Sequence, residues 1–245
     1  MSAIIETRGL TKRFGGLVAV NNVDFALERG ELRAVIGPNG AGKTTFFSML
    51  AGNLDPSEGE IIFNGQDITD KAPHQISHMG IGRSFQITNI FPELTVFENI
   101  RISAQSRKTT YNWWTYGGGH KDLNDKTGAM LEYTGLEDRR DEPAGALAHG
   151  EQRYLEIGIT LATDPELLLF DEPTAGMSPA ETVQTADLIR KVAADHSVIL
   201  VEHDVEVVMG ISEWITVFHN GAVLATGAPE EVRANDDVQR VYLRE

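Results

Sequence analysis

The sequence predicts an α/β fold in which a mostly parallel sheet carries helices on both faces. The second half of the chain alternates short apolar runs with amphipathic segments, a pattern typical of strands that are joined by helices. In the first half, a glycine-rich phosphate-binding pattern stands between a strand-like and a helix-like segment. The chain has 245 residues, 41% hydrophobic and 23% charged, which suits one large domain or one core with an inserted subdomain.

The first third of the chain indicates strands and turns. Apolar residues alternate with polar or small ones over 23–28, which predicts a half-buried strand. Residues 60–63 predict another strand, which ends at the strong turn signal of Asn64 and Gly65. Residues 95–105 then have the spacing of a helix that buries one face.

The segment 106–128 differs from its surroundings because it is polar and contains three consecutive glycines beside four aromatic residues. These are Tyr111, Trp113, Trp114 and Tyr116. We expect a loop or the edge of an inserted helical subdomain. Local packing over an irregular segment is the favoured explanation of the aromatic residues, and contact with a partner is the alternative.

The second half of the chain supplies the strand–helix alternation. Residues 151–163 and 180–194 have apolar residues at helical spacing, and the stripe of the second segment runs from Val183 to Val192. Residues 167–170 and 198–201 are apolar runs of strand length. Strands of this kind are buried on both faces, as in a parallel sheet.

Composition limits the possible partners and compartments. The formal charge of −15 and the pI of about 4.8 argue against broad electrostatic binding to nucleic acid or anionic lipid; adaptation to high salt is another explanation of the acidity. There is no cysteine, which excludes disulfides and cysteine metal sites. We predict no signal peptide and no membrane span, because the start lacks the basic-then-apolar pattern and no apolar run is long enough.

The most specific pattern in the chain is a phosphate-binding loop. It matches G-x-x-x-x-G-K-[ST], and it lies between a predicted strand at 32–36 and a predicted helix at 45–50. Its glycines let backbone N–H groups turn toward an anion, its lysine reaches the β- and γ-phosphates, and its first threonine can ligate Mg²⁺. The loop comprises Gly37, Pro38, Asn39, Gly40, Ala41, Gly42, Lys43, Thr44 and Thr45.

Polar residues end the two apolar strands of the second half. Asp171 and Glu172 follow one strand, and His203 follows the other. Ligands of α/β sheets bind at the carboxyl ends of strands. We therefore expect Asp171 to hold Mg²⁺, Glu172 to act as general base toward the attacking water, and His203 to hydrogen-bond a γ-phosphate.

Together these residues resemble the nucleotide-binding subunits of ABC transporters, and the resemblance covers essentially the whole chain. Six motifs stand in the order of that family. They are the aromatic Phe14, the Walker A loop at 37–45, Gln86 of the glutamine loop, the signature segment at 147–151, the Walker B strand at 168–172, and the switch histidine His203.

The resemblance implies a P-loop NTPase of the ABC ATPase type, with a RecA-like, mostly parallel sheet core, a small antiparallel β subdomain and an inserted helical subdomain. The chain is then a single domain over 1–245. Residues 1–88 and 155–245 form the nucleotide-binding core with the β subdomain, and 89–154 form the helical signature subdomain.

The resemblance also assigns roles in an ATP site. ATP and Mg²⁺ are the implied cofactors, and Phe14 is expected to stack on adenine. Gln86 is expected to sense Mg²⁺ and to contact the membrane partner. The implied catalytic residues are Lys43, Gln86, Glu172 and His203, and the implied metal ligands are Thr44, Gln86 and Asp171.

A second subunit completes the site in this family, since two subunits enclose two ATP molecules head to tail. The segment expected to face the partner's ATP consists of Ala148, His149, Gly150 and Glu151. It departs from the usual Leu-Ser-Gly-Gly-Gln, because Ala148 removes a hydroxyl and His149 and Glu151 replace a glycine and a glutamine. Ser178 stands where the family commonly has an aspartate, so it supplies no carboxylate there.

These departures and the Val-Tyr-Leu ending resemble the subgroup that imports branched-chain amino acids, with urea and amide importers close by. The implied partners are transmembrane permease subunits, a second ATPase subunit that is either a paralogue or another copy, and, indirectly, an extracytoplasmic solute-binding protein. The implied location is the cytoplasmic face of the cell membrane. Two alternatives remain, a soluble ABC-type ATPase that acts on nucleic acid or the ribosome and a regulatory subunit with little turnover. The negative charge favours a protein that binds no nucleic acid.

Overall fold

The computed structural model describes residues 3–84, 90–106 and 119–242. The strands are β1 (Ala3–Phe14), β2 (Leu17–Glu28), β3 (Leu32–Ile36), β4 (Glu58–Phe63), β5 (Gln66–Asp67), β6 (Ile81–Ser84), β7 (Leu167–Asp171), β8 (Ser197–Val201), β9 (Trp214–His219) and β10 (Ala222–Gly227). The helices are α1 (Lys43–Leu50), α2 (Pro73–Met79), α3 (Val96–Ser106), α4 (Gly119–Thr134), α5 (His149–Leu161), α6 (Pro179–Ala193), α7 (Val205–Ile211), α8 (Pro229–Ala234) and α9 (Asp236–Tyr242).

The larger sheet has six strands in the order β10-β9-β3-β8-β7-β6. All its neighbouring pairs are parallel except β9 and β10. Val201 on β8 lies opposite Val35 on one side and Asp171 on the other, so the carboxyl ends of β3, β8 and β7 meet at one edge. Every residue of β7 and β8 is buried, which explains their unbroken apolar runs. The prediction of an α/β fold with a mostly parallel sheet is confirmed.

The smaller sheet is antiparallel and has the order β2-β1-β4-β5. The predicted strands at 23–28 and 60–63 are confirmed as parts of β2 and β4, and the alternating apolar residues of β2 are buried. The turn after β4 uses positive φ angles of 50° at Asn64 and 74° at Gly65. Phe46 of α1 joins this sheet to the larger one, because its ring lies 5.4 Å from Phe25 and 5.1 Å from Phe218, centroid to centroid.

Helices α3, α4 and α5 form a separate hydrophobic cluster around Val96, Ile100, Leu131 and Leu155. The predicted helix at 95–105 is confirmed as α3. Its first turn has a complete capping box, in which Thr95 and Glu98 exchange backbone-to-side-chain hydrogen bonds. This cluster suits an inserted helical subdomain, and the division of the chain at 88/89 and 154/155 stays a prediction.

Several predicted boundaries shift in the structure. Helix α5 begins at His149, ahead of the predicted 151. Helix α4 begins at Gly119, inside the segment predicted as a loop or subdomain edge, while the four aromatic residues of that segment lie outside the described residues.

The apolar stripe predicted for α6 is wrong at one position. Val183 is 61% exposed, whereas Ile189 and Val192 are fully buried. Val183 lies on the side of α6 that lines an open groove beside Val207 and Ile211 of α7. Within the part of the chain that the structure describes, no helix combines the length and the apolar character that a bilayer crossing requires.

Candidate nucleotide-binding site

A cavity of about 510 Å³ opens at the carboxyl edge of the larger sheet. Besides the turn at Asn220 and Gly221, four separate parts of the chain line it, and each of the four contributes residues that the sequence singled out. They are Phe14 at the end of β1, residues 39–45 of the phosphate loop and α1, Glu172 after β7, and His203 after β8. The topology brings the last three of these parts together because β3, β7 and β8 end side by side, whereas Phe14 comes from the smaller sheet.

The glycines of the loop are required by space as well as by backbone conformation. Gly42 has a φ of 102°, and a Cβ there would lie 2.4 Å from the carbonyl oxygen of Ala19. At Gly37 a Cβ would lie 2.2 Å from the carbonyl oxygen of Phe218. A Cβ and a non-bonded carbonyl oxygen do not approach each other this closely, so any side chain at these positions would displace the backbone. The loop therefore leads into α1 in a shape that leaves the helix N-terminus open to the cavity, where its dipole favours an anion.

Lys43 is the first residue of α1 and is only 5% exposed. Its ammonium nitrogen donates hydrogen bonds to the carbonyl oxygens of Gly37, at 2.6 Å, and Pro38, at 3.1 Å. These contacts hold the positive charge against the loop that would surround a phosphate. Thr44 and Thr45 also line the cavity, while Phe14, at 48% exposure, stands at its open side.

Asp171 is buried at the end of β7, with its side chain 2% exposed. Its Oδ2 accepts a hydrogen bond from the guanidinium of Arg83 at 3.0 Å, across the parallel β6–β7 pair. Arg153 of α5 donates to the backbone carbonyl of the same aspartate at 2.9 Å. Sequence reasoning missed both arginines. In the sequence, each arginine is a charged residue within a strand or on a helix face. Such a position suggests that the residue has a partner, but it does not show which residue the partner is.

Glu172 and His203 contact each other directly. His203 Nε2 lies 2.6 Å from Glu172 Oε1, and because a carboxylate only accepts, this nitrogen carries the hydrogen. Glu172 has a φ of 49°, a left-handed conformation that is uncommon for residues other than glycine. Its N–H donates to Val201 O at 2.8 Å, which fixes it against β8. The strained turn aims its carboxylate into the cavity instead of along the strand.

Comparison with known proteins decides the family. The profile of the ABC transporter family matches residues 20–175, and that of the branched-chain amino acid ATP-binding cassette transporter matches residues 222–243. The high-affinity branched-chain amino acid transport ATP-binding protein LivG of Escherichia coli (strain K12) is 40% identical over 250 residues, covering 99% of this chain and 98% of LivG. The chain belongs to the ABC transporter family. It is an ATPase domain of that family, a nucleotide-binding cassette.

Other similar proteins agree with this assignment. The high-affinity branched-chain amino acid transport ATP-binding protein BraF of Pseudomonas aeruginosa is 40% identical, covering 99% of this cassette and 98% of BraF. An ATP-binding cassette of an ABC transporter solved in its ADP conformation superposes with a TM-score of 0.89 at 29% identity, covering 100% of both chains. A nucleotide-free cassette gives a TM-score of 0.86 at 28% identity, covering 98% of this chain and 99% of its own. The predicted P-loop cassette fold is thereby confirmed.

The signature segment of the cassette lies at the start of α5. None of the described residues that line the cavity comes from 148–151, so the segment does not contribute to the cavity of its own chain. Glu151 accepts a hydrogen bond from the N–H of Ala148 at 3.0 Å and one from Arg139 Nε at 3.1 Å. The glutamate therefore helps to fix the first turn of α5, which Ala148 has no side-chain oxygen to cap.

Gly150 faces the first turn of α6, and His149 faces the loop that precedes this helix. A Cβ on Gly150 would lie 2.9 Å from Glu181 Oε1, so the absence of a side chain admits that carboxylate. The imidazole of His149 lies next to Gly176. The signature segment thus lies against both the loop between β7 and α6 and the first turn of α6.

Ser178 has a different role from the aspartate that is common at its position. It caps α6, donating from its hydroxyl to Glu181 Oε2 at 2.6 Å and accepting from the N–H of Glu181 at 3.4 Å. The hydrogen bond from the Ser178 side chain, with one from its backbone, lowers the pKa of the Glu181 carboxyl below its usual value. A carboxylate is therefore present beside Gly150, supplied by residue 181 and not by residue 178.

One predicted site residue has no described position. Gln86 lies in the segment 85–89, outside the described residues, so its expected contacts with Mg²⁺ and with a membrane partner stay predictions.

Proposed function

We propose that this cassette is the subunit that binds and hydrolyses ATP in an importer of branched-chain amino acids. The observation that carries the hydrolytic part is the Glu172–His203 pair, which faces the phosphate loop across one cavity. The transported solute is proposed from the 40% identity to LivG and BraF over nearly the whole chain.

The triphosphate would bind where the loop meets α1. Backbone N–H groups and the helix dipole attract the negative charge, and Lys43 is already held beside them by two carbonyl contacts. Moving its ammonium from carbonyl oxygens to phosphate oxygens replaces neutral acceptors by charged ones, and charged acceptors give stronger hydrogen bonds. The base of the nucleotide would stack on Phe14 at the open side.

Mg²⁺ suits the residues beside the loop. Thr44 and Asp171 offer hard oxygen donors, and Mg²⁺ in phosphate sites is usually held by one or two such side chains together with phosphate oxygens and water. Arg83 fixes Oδ2 of the buried Asp171, which is not among the described residues that line the cavity, so the other carboxylate oxygen is the one proposed to reach the ion. Bound Mg²⁺ would neutralise charge on the β- and γ-phosphates.

Glu172 is the proposed general base. Its carboxylate lines the cavity and is 16% exposed, so it can contact a water molecule between itself and the phosphate site. The hydrogen bond from His203 holds the carboxylate in that direction. In the reaction, Glu172 takes a proton from the attacking water as the water oxygen bonds to the γ-phosphorus and the bond from that phosphorus to ADP breaks. The N–H of His203 that contacts Glu172 would turn to the terminal phosphate when ATP is bound.

A second ATPase subunit would complete the site, because the signature segment lies outside the cavity of its own chain. We propose that Ala148, His149, Gly150 and Glu151 face the ATP of a partner subunit in a head-to-tail dimer. Closure of this dimer on ATP and its release after hydrolysis would move transmembrane permease subunits at the cytoplasmic face of the membrane. A solute-binding protein on the far side would deliver the amino acid.

Replacing Phe14 by alanine should weaken ATP binding by about tenfold, because stacking of a base on an aromatic ring contributes about 1–3 kcal/mol. The affinity for inorganic tripolyphosphate should stay unchanged, since that ligand has no base. Titration calorimetry on both ligands separates the two contributions, and Phe14→Trp should restore ATP binding. Equal weakening for both ligands would show that Phe14 acts on the loop and not on the base.

Reconstitution of the transporter tests the proposed solute. We expect the tagged chain, purified from its native membranes, to bring multi-span permease subunits with it. In liposomes, ATP should then drive uptake of radiolabelled leucine, isoleucine and valine in competition with one another. Uptake of urea or a short amide instead would move the cassette to the neighbouring importer class. Recovery with nucleic acid at physiological salt and without membrane protein would contradict the importer proposal.

A further inference from the structure

Glu202 is a buried carboxylate that has no role in the chemistry described above. It follows β8 directly and is 3% exposed. Its Oε1 accepts two hydrogen bonds from Thr174, one from the N–H at 2.9 Å and one from the hydroxyl at 2.7 Å. Its Oε2 accepts the N–H of His203 at 3.1 Å. A carboxylate placed this deep is costly unless it is hydrogen-bonded, and these three hydrogen bonds satisfy both of its oxygens.

The contacts of Glu202 join the two loops that carry the reacting pair. Thr174 belongs to the loop that begins with Glu172, and His203 stands at the start of the next loop. One side chain therefore fixes the backbone on both sides of the 2.6 Å contact between Glu172 and His203. We propose that Glu202 is a positioning residue for ATP hydrolysis, which sets the geometry of the Glu172–His203 pair. The proposal rests on the proposed function of this site.

The three donors explain why a carboxylate is required. Both oxygens of Glu202 only accept, and the donors approach both of them. A glutamine of the same shape has one accepting oxygen and one donating nitrogen. It can satisfy Thr174 or His203, but not both, and the remaining N–H would then face an N–H₂ group. Glu202→Gln therefore releases one of the two loops while it changes the packing volume very little.

We expect Glu202→Gln to lower kcat for ATP hydrolysis by about ten- to a hundredfold, as small misplacements of reacting groups do. The Kd for ATP should remain unchanged, because the hydrogen bonds of Glu202 go to Thr174 and His203 and not to the phosphate loop. The matched control is Glu31→Gln. Glu31 is also a buried carboxylate, 7% exposed, and it forms an ion pair with Arg33. It directly precedes β3 and therefore lies at the opposite end of the strand from the cavity. Its variant should keep the wild-type kcat.

A double-mutant cycle with His203→Ala separates positioning from a general structural effect. Single-turnover rates are measured for the wild type, both single variants and Glu202→Gln/His203→Ala. If Glu202 acts through His203, the second substitution adds little once the histidine is absent. A mere loss of correctly folded protein would multiply the rate by the same factor in both backgrounds. Multiplicative losses, or an unchanged kcat in Glu202→Gln, would overturn the proposal.

If Glu202→Gln does not fold, variants of Thr174 test the same contact. Thr174→Val removes the hydroxyl donor and leaves the carboxylate in place, so kcat should fall, whereas Thr174→Ser should retain the wild-type rate. Equal rates in the valine and serine variants would contradict the role of this contact. A wild-type chain that does not hydrolyse ATP in the assembled transporter would refute the proposed function itself, which is a different result from any of these.

Discussion

Glu172→Gln should lower ATP hydrolysis by about 10²- to 10⁴-fold, the range that a general base contributes. Glutamine keeps the shape of the side chain and can still accept the hydrogen bond from His203. It cannot take a proton from water. ATP binding should survive, because Lys43 and the phosphate loop are untouched. Phosphate release measures the first effect, and titration with a fluorescent ATP analogue measures the second.

The control for this substitution lies at the other end of the same strand. Glu166 precedes β7 and forms an exposed ion pair with Arg29. Glu166→Gln should hydrolyse ATP at the wild-type rate, because surface ion pairs contribute little to stability and this one is distant from the cavity. Wild-type hydrolysis in Glu172→Gln would remove the general-base role from Glu172 and leave His203 as the remaining candidate.

Lys43→Met should raise the Kd for ATP by about ten- to a hundredfold, because a hydrogen bond to a charged group contributes about 1.5–3 kcal/mol. The substitution also leaves the carbonyls of Gly37 and Pro38 without the ammonium that bonds to them now. The loop should therefore become looser even without ligand. Hydrogen exchange over residues 37–45 would detect this change, and nucleotide titration would detect the loss of affinity.

Lys121→Met provides the matched control, since Lys121 is exposed on α4. It removes the same charge from the chain and should leave both measurements unchanged. An unaltered Kd in Lys43→Met would mean that backbone N–H groups and the helix dipole supply the affinity, which would contradict the role assigned to the ammonium.

The sequence predicted the fold and much of the cavity because both depend on short local patterns. The loop at 37–45 identifies itself through glycines that no other residue can replace, as the clashes at Gly37 and Gly42 make clear. The residues after β7 and β8 could be placed at one edge because parallel strands end together. For these parts, spacing along the chain is enough to predict proximity in space.

The supporting contacts could not be predicted in this way. Arg83, Arg153 and Glu202 each reach a neighbouring element, and their partners depend on strand order and helix placement that one sequence does not encode locally. The start of α5 was predicted too late because Ala148 lacks the side-chain oxygen that usually marks a cap. The error at Val183 has a similar origin, since helical spacing cannot tell which side of a helix borders an open groove.

The left-handed backbone of Glu172 has a consequence for protein engineering. Glycine and asparagine adopt this conformation more readily than glutamate, which carries a strain on the order of 1 kcal/mol there. A selection that rewards only heat tolerance would therefore tend to replace the residue proposed to activate water. Stabilised versions of this cassette should be tested for ATP hydrolysis at every round, because a substitution that raises stability at position 172 would also remove the proposed general base.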